Sequence, residues 1–376
     1  MDRVLAQRRS SSRKRSSSPS STVSDLNRRE EKSAPYRDAR YRKILETKGS
    51  FMDKSKLDLA DKSKILCRTL LENDQTVPQD SLFRDDIFES TCRRVEDRNE
   101  ARVLRDITPL VVPPAEILAI YGDARLDCLV ESINEGWNNS IPVIGTRPQP
   151  DYSAGFKREA FTEDQLNKLS PFIGDWINGD LSYFMGAYNM YFPFLTCEVK
   201  CGAAALDVAD RQNAHSMTIA ARAVVELFRL VGRESELHRQ ILGFSVSHDH
   251  CSVRIYGHYP VVGENDTKYY RHPIRKFDIT ELDGREKWTA YKFTKNVYTL
   301  WMPNHFEMLC SAIDQLSPGY DLDAPPLSEK SGLSQALSSC QLPDSDVDSG
   351  AEVPATPDTS FTEQGAPKRR RRKADG

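Results

Sequence analysis

Phe194-Leu195-Thr196-Cys197-Glu198-Val199-Lys200-Cys201 lies within the longer run YFPFLTCEVKCG and is the most strand-like stretch of the chain. Successive side chains of a strand point to opposite faces. Leu195, Cys197, Val199 and Cys201 therefore share one face, apolar or nearly so, and Glu198 and Lys200 share the other. Charges inside so apolar a strand need a partner or a bound ion, because burying them alone is costly. Two readings follow: a salt bridge on a partly exposed sheet face, or a cation site. Upstream, Pro150-Asp151 stands just beyond the apolar run IPVIGT that begins at Ile141. If the two runs pair, Asp151 and Glu198 converge, although Pro-Asp is also an ordinary turn opening. Two carboxylates at a sheet end suit a hard cation such as Mg²⁺ or Mn²⁺. A lysine beside them can orient water and stabilise charge developing on a phosphate.

Working outward from this strand, periodicity predicts a mixed sheet with helices packed on it. Apolar spacing predicts helix over Leu57 to Leu70, over Leu82 to Arg105, and over Ala124 to Trp137. The prolines at Pro109, Pro113 and Pro114 interrupt DITPLVVPPAEILAIYG, and Pro114 suits the first turn of a short helix. Helix is also expected around Glu163 to Leu169, along Leu206 to Val231, and from Asn304 to Leu316. ILGFSVSHDHCSVRIYGHY reads as a β-hairpin. A last strand pair is expected in YYRHPIRKFDI and WTAYKFTKNVYTL.

The whole chain has 376 residues, a hydrophobic share of 39% and a formal net charge of −3. That hydrophobic share is low for a fully globular protein, and the deficit sits at the ends. Residues 1–38 are rich in Ser, Arg and Lys, and residues 323–376 in Ser, Pro, Asp and Gly, so neither can bury enough surface to offset ordering entropy. Both are expected to be disordered tails around one folded domain at 39–317. That domain divides into a helical part at 39–138, a core at 120–260, and C-terminal strands and a helix at 268–317. The tails carry basic runs, Arg8 to Arg15 and 368–373, which suit an import receptor of the nucleus or a phosphate backbone. Serines among the arginines, as in Arg15-Ser16-Ser17-Ser18-Pro19, invite phosphorylation that would cancel this charge. The expected location is nuclear, otherwise cytoplasmic. The first residues lack the apolar core of a secretory signal, and no apolar run is long enough to span a membrane. Eight cysteines, spread singly, do not form a disulfide framework. Composition is silent on oligomeric state.

Asp151, then Glu198-Val199-Lys200 on an apolar strand, then a long helix, resembles the PD-(D/E)xK nuclease superfamily, whose core is restriction-endonuclease-like. The resemblance is closer to an uncharacterised fungal protein family with a domain of that type, carried by VLRDITPLVVPP, RPQPDYSAGF, PFLTCEVKCG, DRQNAHSM and the GHY after the hairpin. It covers roughly Ala101 to Leu316. It implies Asp151 and Glu198 as metal ligands, Lys200 as the catalytic lysine, and Gln212 as a polar group near the reaction. Either Glu131 or Glu135 would supply a further acid. Hydrolysis of DNA or RNA with Mg²⁺ is the implied activity, and a catalytically silent module that binds nucleic acid or protein is the alternative.

Plainer readings accompany several of these residues. Gln212 and Asn213 can satisfy backbone groups near a helix start. His248-Asp249-His250-Cys251, with Cys197 and Cys201, invites zinc, but the spacing fits no common structural zinc pattern, and a polar turn accounts for it. His215 and His258 read as hydrogen-bonded structural histidines.

Overall fold

The computed structural model describes residues 4–7, 34–201, 206–263 and 266–317. The basic runs and the expected C-terminal tail lie outside these residues. Two pieces of the expected N-terminal tail lie inside them. Val4 is buried, Gln7 exchanges backbone hydrogen bonds with Leu181 at 2.8 and 3.0 Å, and a helical turn begins at Ala34.

In chain order the elements are α1 (Tyr41–Thr47), β1 (Ser50–Phe51), α2 (Asp61–Glu72), α3 (Phe88–Val95), α4 (Glu100–Asp106), α5 (Ala115–Ile120), β2 (Leu129–Ile133), β3 (Tyr152–Phe156), α6 (Glu163–Ile173), β4 (Tyr191–Val199), α7 (Leu206–Leu230), β5 (Gly243–His248), β6 (Ser252–Val262), β7 (Thr267–Asp278), α8 (Thr289–Asn296) and α9 (Met302–Asp314). The seven strands form one sheet in the order β1-β7-β6-β5-β4-β3-β2. β4 runs parallel to β5 and β1 to β7, and the remaining pairs are antiparallel. The fold is therefore a mixed α/β sheet flanked by helices, as the alternation of elements predicts.

β4 lies inside the sheet, and all nine of its residues are buried. One face of the sheet is covered by α7, whose Asn213 Oδ1 accepts a 2.7 Å hydrogen bond from the Thr196 hydroxyl. The other is covered by α8 and α9. There Phe244 meets the Phe293 and Trp301 rings edge-on, and Tyr152 and Tyr298 join hydroxyls at 3.0 Å. Local chemistry sets several helix starts. Thr162 and Gln165 form a reciprocal capping box at α6, the Asn99 side chain caps α4, and Pro114 sits at the N-cap of α5.

Four expectations need correction. Ala124 to Trp137 is not a helix: a short 3-10 turn over Ala124–Cys128 leads into β2. Its apolar residues are too few to separate the two periods, and ladder pairing with β3 decides the outcome. The Ile141 run is not a strand. Pro142 removes a ladder donor, and the segment is held by Ile141 N to Ser182 O at 2.9 Å. Leu82 to Arg105 is not one helix but α3 and α4. WTAYKFTKNVYTL is helical, as α8 continued by a π turn over Val297–Trp301. Its buried Ala290, Phe293, Thr294 and Val297 recur every three to four residues, so tertiary burial overrides the β propensity of its aromatic and β-branched side chains.

Candidate functional site

Tyr152 stands opposite Cys197 in the β3–β4 ladder. Continuing that antiparallel register by one residue sets Asp151 beside Glu198, on the face under α7. Directly opposed residues of such a pair hold their Cβ atoms about 5 Å apart. Asp151 is thus brought to β4 by the strand after it, β3, rather than by the Ile141 run before it. Asp151 is 3% exposed and Glu198 1%. The Asp151 Oδ2 accepts a 2.7 Å hydrogen bond from the Val199 amide, which continues the pairing where the ladder ends.

Lys200 follows the last residue of β4 and is 5% exposed. Its Nζ donates to the Val199 carbonyl at 2.6 Å and lies 4.0 Å from Glu198 Oε2 and 3.7 Å from Glu100 Oε1. Glu100 opens α4 and is a residue that sequence reasoning missed. Its only signal was the Asn-Glu pair of a helix start, which says nothing of a long-range partner. The row continues along the sheet through Ser247, opposite Glu198, to Arg254, opposite Ser247. Arg254 is held by Asp207 at 2.8 Å and Asp210 at 2.9 Å.

The two candidate extra acids behave differently. Glu131 pairs with Ala154, and Ala154 with Leu195, so Glu131 occupies the opposite face from Glu198. Its Oε2 accepts from the Tyr152 hydroxyl at 3.0 Å, and burial raises its pKa. The helix expected to carry it toward the site is a strand, and the strand alternation turns it away. Glu135 lies in the turn after β2, half-buried, with its pKa raised by burial.

On α7, Asn213 is fully buried and takes the bridging role. Besides accepting from Thr196, its Nδ2 donates to the Val246 carbonyl at 2.9 Å and to Ser247 Oγ at 3.0 Å. The neighbouring Gln212 keeps its Oε1 buried without a hydrogen-bond partner. His215 Nδ1 meets the hydroxyls of Tyr36 at 2.9 Å and Tyr41 at 3.2 Å, and His258 Nε2 meets Ser245 Oγ at 2.8 Å. Burial lowers both histidines to about 3, so both are neutral.

A metal-compatible trio, Asp249, His250 and Cys251, has ligand atoms within 4.8 Å of one another. Asp249 Oδ1 also accepts from the amides of Cys251 at 2.8 Å and Ser252 at 2.7 Å, which closes the β5–β6 turn. Cys197 lies on the far face with Tyr152 and joins neither group. Burial, first, and then the charges of Asp151 and Glu198 push its thiol pKa well up.

A family model described as a domain of unknown function, DUF7924, matches residues 87–313, more than half of the chain. The chain belongs to the DUF7924 family. No curated protein and no solved structure matches it. The DUF7924 domain contains every strand from β2 to β7 with Glu100, Asp151, Glu198, Lys200 and Gln212, whereas Tyr36, α1, β1 and α2 precede it. Among the described residues no helix is long and apolar enough to cross a membrane.

Proposed function

We propose that the DUF7924 domain is a metal-dependent phosphodiesterase that hydrolyses DNA or RNA, with Asp151, Glu198 and Lys200 at its centre. One observation carries the reading: two buried carboxylates fall at neighbouring positions on one sheet face, with a lysine ammonium 4.0 Å from one of them. The donor set fits Mg²⁺ or Mn²⁺ and not zinc, because it is all oxygen and the adjacent Cys197 thiol faces away across the sheet. Asp151 and Glu198 would hold the ion, which supplies Lewis-acid polarisation of a phosphoryl oxygen when bound. Lys200 presents an ammonium to the same space, where it can orient an attacking water and offset charge gathering on the phosphate. Gln212, one residue before Asn213 on the helix over this face, keeps a buried Oε1 without a hydrogen-bond partner. The terminal basic runs support the same reading, as sequence-independent affinity for a phosphate backbone and as signals for nuclear import.

The test is incubation of the full chain with single- and double-stranded DNA and RNA in Mg²⁺ or Mn²⁺, beside Glu198→Ala and Lys200→Ala. Cleavage lost in both variants is the expected result; cleavage equal in all three chains sinks the proposal. The contacts of Asp151 and Lys200 with Val199 also brace the strand end, which a silent module would retain. Metal binding that needs Glu198, with nucleic acid bound but never cut, favours that second reading.

A further inference from the structure

We propose that Asp249, His250 and Cys251, in the turn between β5 and β6, form a binding site for Zn²⁺. The site is separate from the carboxylates of Asp151 and Glu198, and it stands whether or not those hold a metal.

Three consecutive residues of a straight strand cannot share a ligand, because successive side chains point to opposite faces. Here the chain bends. The Asp249 amide donates to the Ser252 carbonyl at 3.1 Å, and Asp249 Oδ1 accepts from the amides of Cys251 and Ser252. The bend brings a carboxylate oxygen, an imidazole nitrogen and a thiol sulfur within 4.8 Å of one another. Folding, rather than the linear spacing of the residues, therefore makes the site. Cys251 Sγ already lies 3.4 Å from Asp249 Oδ1. Zinc bonds of about 2.0–2.3 Å set tetrahedral ligand atoms about 3.5 Å apart, so closing the trio takes about 1 Å of side-chain movement.

Two observations favour a cation over a plain turn. His250 Nδ1 is buried without a hydrogen-bond partner, and a buried polar group left in that state is costly. Charge is the second. Asp278 stands opposite Ser252 in the β6–β7 ladder, and the next amide, that of Ile279, donates to the Cys251 carbonyl at 2.8 Å. Among the described residues no lysine or arginine forms an ion pair with Asp249 or Asp278. This end of the sheet thus presents two carboxylates without a cation paired to either.

The donor set selects the ion. Oxygen, nitrogen and sulfur together suit Zn²⁺, whereas Mg²⁺ prefers oxygen alone. Three protein donors leave a fourth position for water. The two amides on Asp249 are the outer support that orients a ligating carboxylate. The Cys251 thiol, which now donates to Asp249 Oδ1, would lose its proton to solvent as the ion binds. Bound zinc would pin the end of β5, where the His248 carbonyl accepts from the Lys200 amide at 2.9 Å.

Titration of the metal-free full chain with Co²⁺ tests this, because a cobalt–thiolate bond absorbs in the near ultraviolet and oxygen ligands do not. One equivalent should produce the band, Zn²⁺ should displace it, and Cys251→Ser should lack it. No band in the unaltered chain overturns the site. So does an equal band in Cys251→Ser, which would mark an adventitious ion at another cysteine. Should Cys251→Ser lose its far-ultraviolet circular dichroism, Zn²⁺ affinity in His250→Ala decides, measured against a chelating dye. A loss of at least about tenfold upholds the site, and unchanged affinity overturns it. Glu198→Ala should keep the band, and Mg²⁺-dependent cleavage is read separately, so either proposal can fail while the other stands.

Discussion

His305 gives the sharpest quantitative handle on this fold. It is buried on α9, its ring stacked on Trp301 with centroids 4.3 Å apart and planes 17° apart, and its Nε2 has no hydrogen-bond partner. Burial lowers its pKa from 6.5 to about 3. The unfolded chain takes up this proton near pH 6.5, while the folded chain resists it until pH approaches 3. The stability contributed by the neutral ring is therefore intact above pH 6.5 and is lost progressively as pH falls toward 3. At pH 5 the unfolded ring is mostly protonated and the folded ring is not, a difference of about 2 kcal/mol. His305→Phe keeps a flat ring for the stack and removes the titration. Urea unfolding at pH 7.5 and pH 5.0 measures the acid-induced loss of stability in each chain. The loss should be smaller by about 2 kcal/mol in His305→Phe. Equal losses, within about 0.5 kcal/mol, would refute the burial argument. His215 and His258 are lowered to about 3 by the same cause, so the unaltered chain should weaken steeply between pH 6.5 and pH 5.

Three further outcomes follow from particular contacts. Glu131→Gln should change Mn²⁺ affinity by less than about twofold, because the side chain lies on the far face; isothermal titration beside Glu198→Gln checks this, and comparable losses would place Glu131 in the site. Lys200→Met removes the ammonium 3.7 and 4.0 Å from Glu100 and Glu198 and should destabilise by about 3 kcal/mol. Part of that loss should be recovered on adding millimolar Mg²⁺, and an unchanged melting temperature would contradict it. Gly155→Ala would bring a Cβ to 2.6 Å from Met190 Cγ and 2.9 Å from the Tyr191 carbonyl, beside the irregularity in the β3–β4 ladder. A loss of about 1–3 kcal/mol in chemical denaturation is expected, and a neutral result would mean that this crossing relaxes freely.

The candidate site was partly legible because strand alternation is a local rule. Reading Glu198 and Lys200 off one face of YFPFLTCEVKCG requires only the period of two, whereas Asp151 depends on a pairing that the sequence assigns to the Ile141 run and the structure gives to β3. Glu131 escaped for the same reason in reverse. Its segment was assigned a helical period, and changing 3.6 to 2 moves a side chain to the other side of the sheet. Glu100 and Tyr36 had no signal of this kind. Their importance comes from meeting Lys200 and His215 across long sequence separations, which no local pattern encodes.

The sequence by itself determined the long helix α7, the β5–β6 hairpin, the buried strand β4 and the composition of the ends, since each depends on periodicity or on apolar content within a few turns of chain. Only the tertiary structure decided that Trp288 to Leu300 is helical, that β3 rather than the Ile141 run is the partner of β4, and that residues 34–52 lie over α7. Those choices depend on which surfaces meet, and the free energy of that contact is shared between segments that are individually ambiguous.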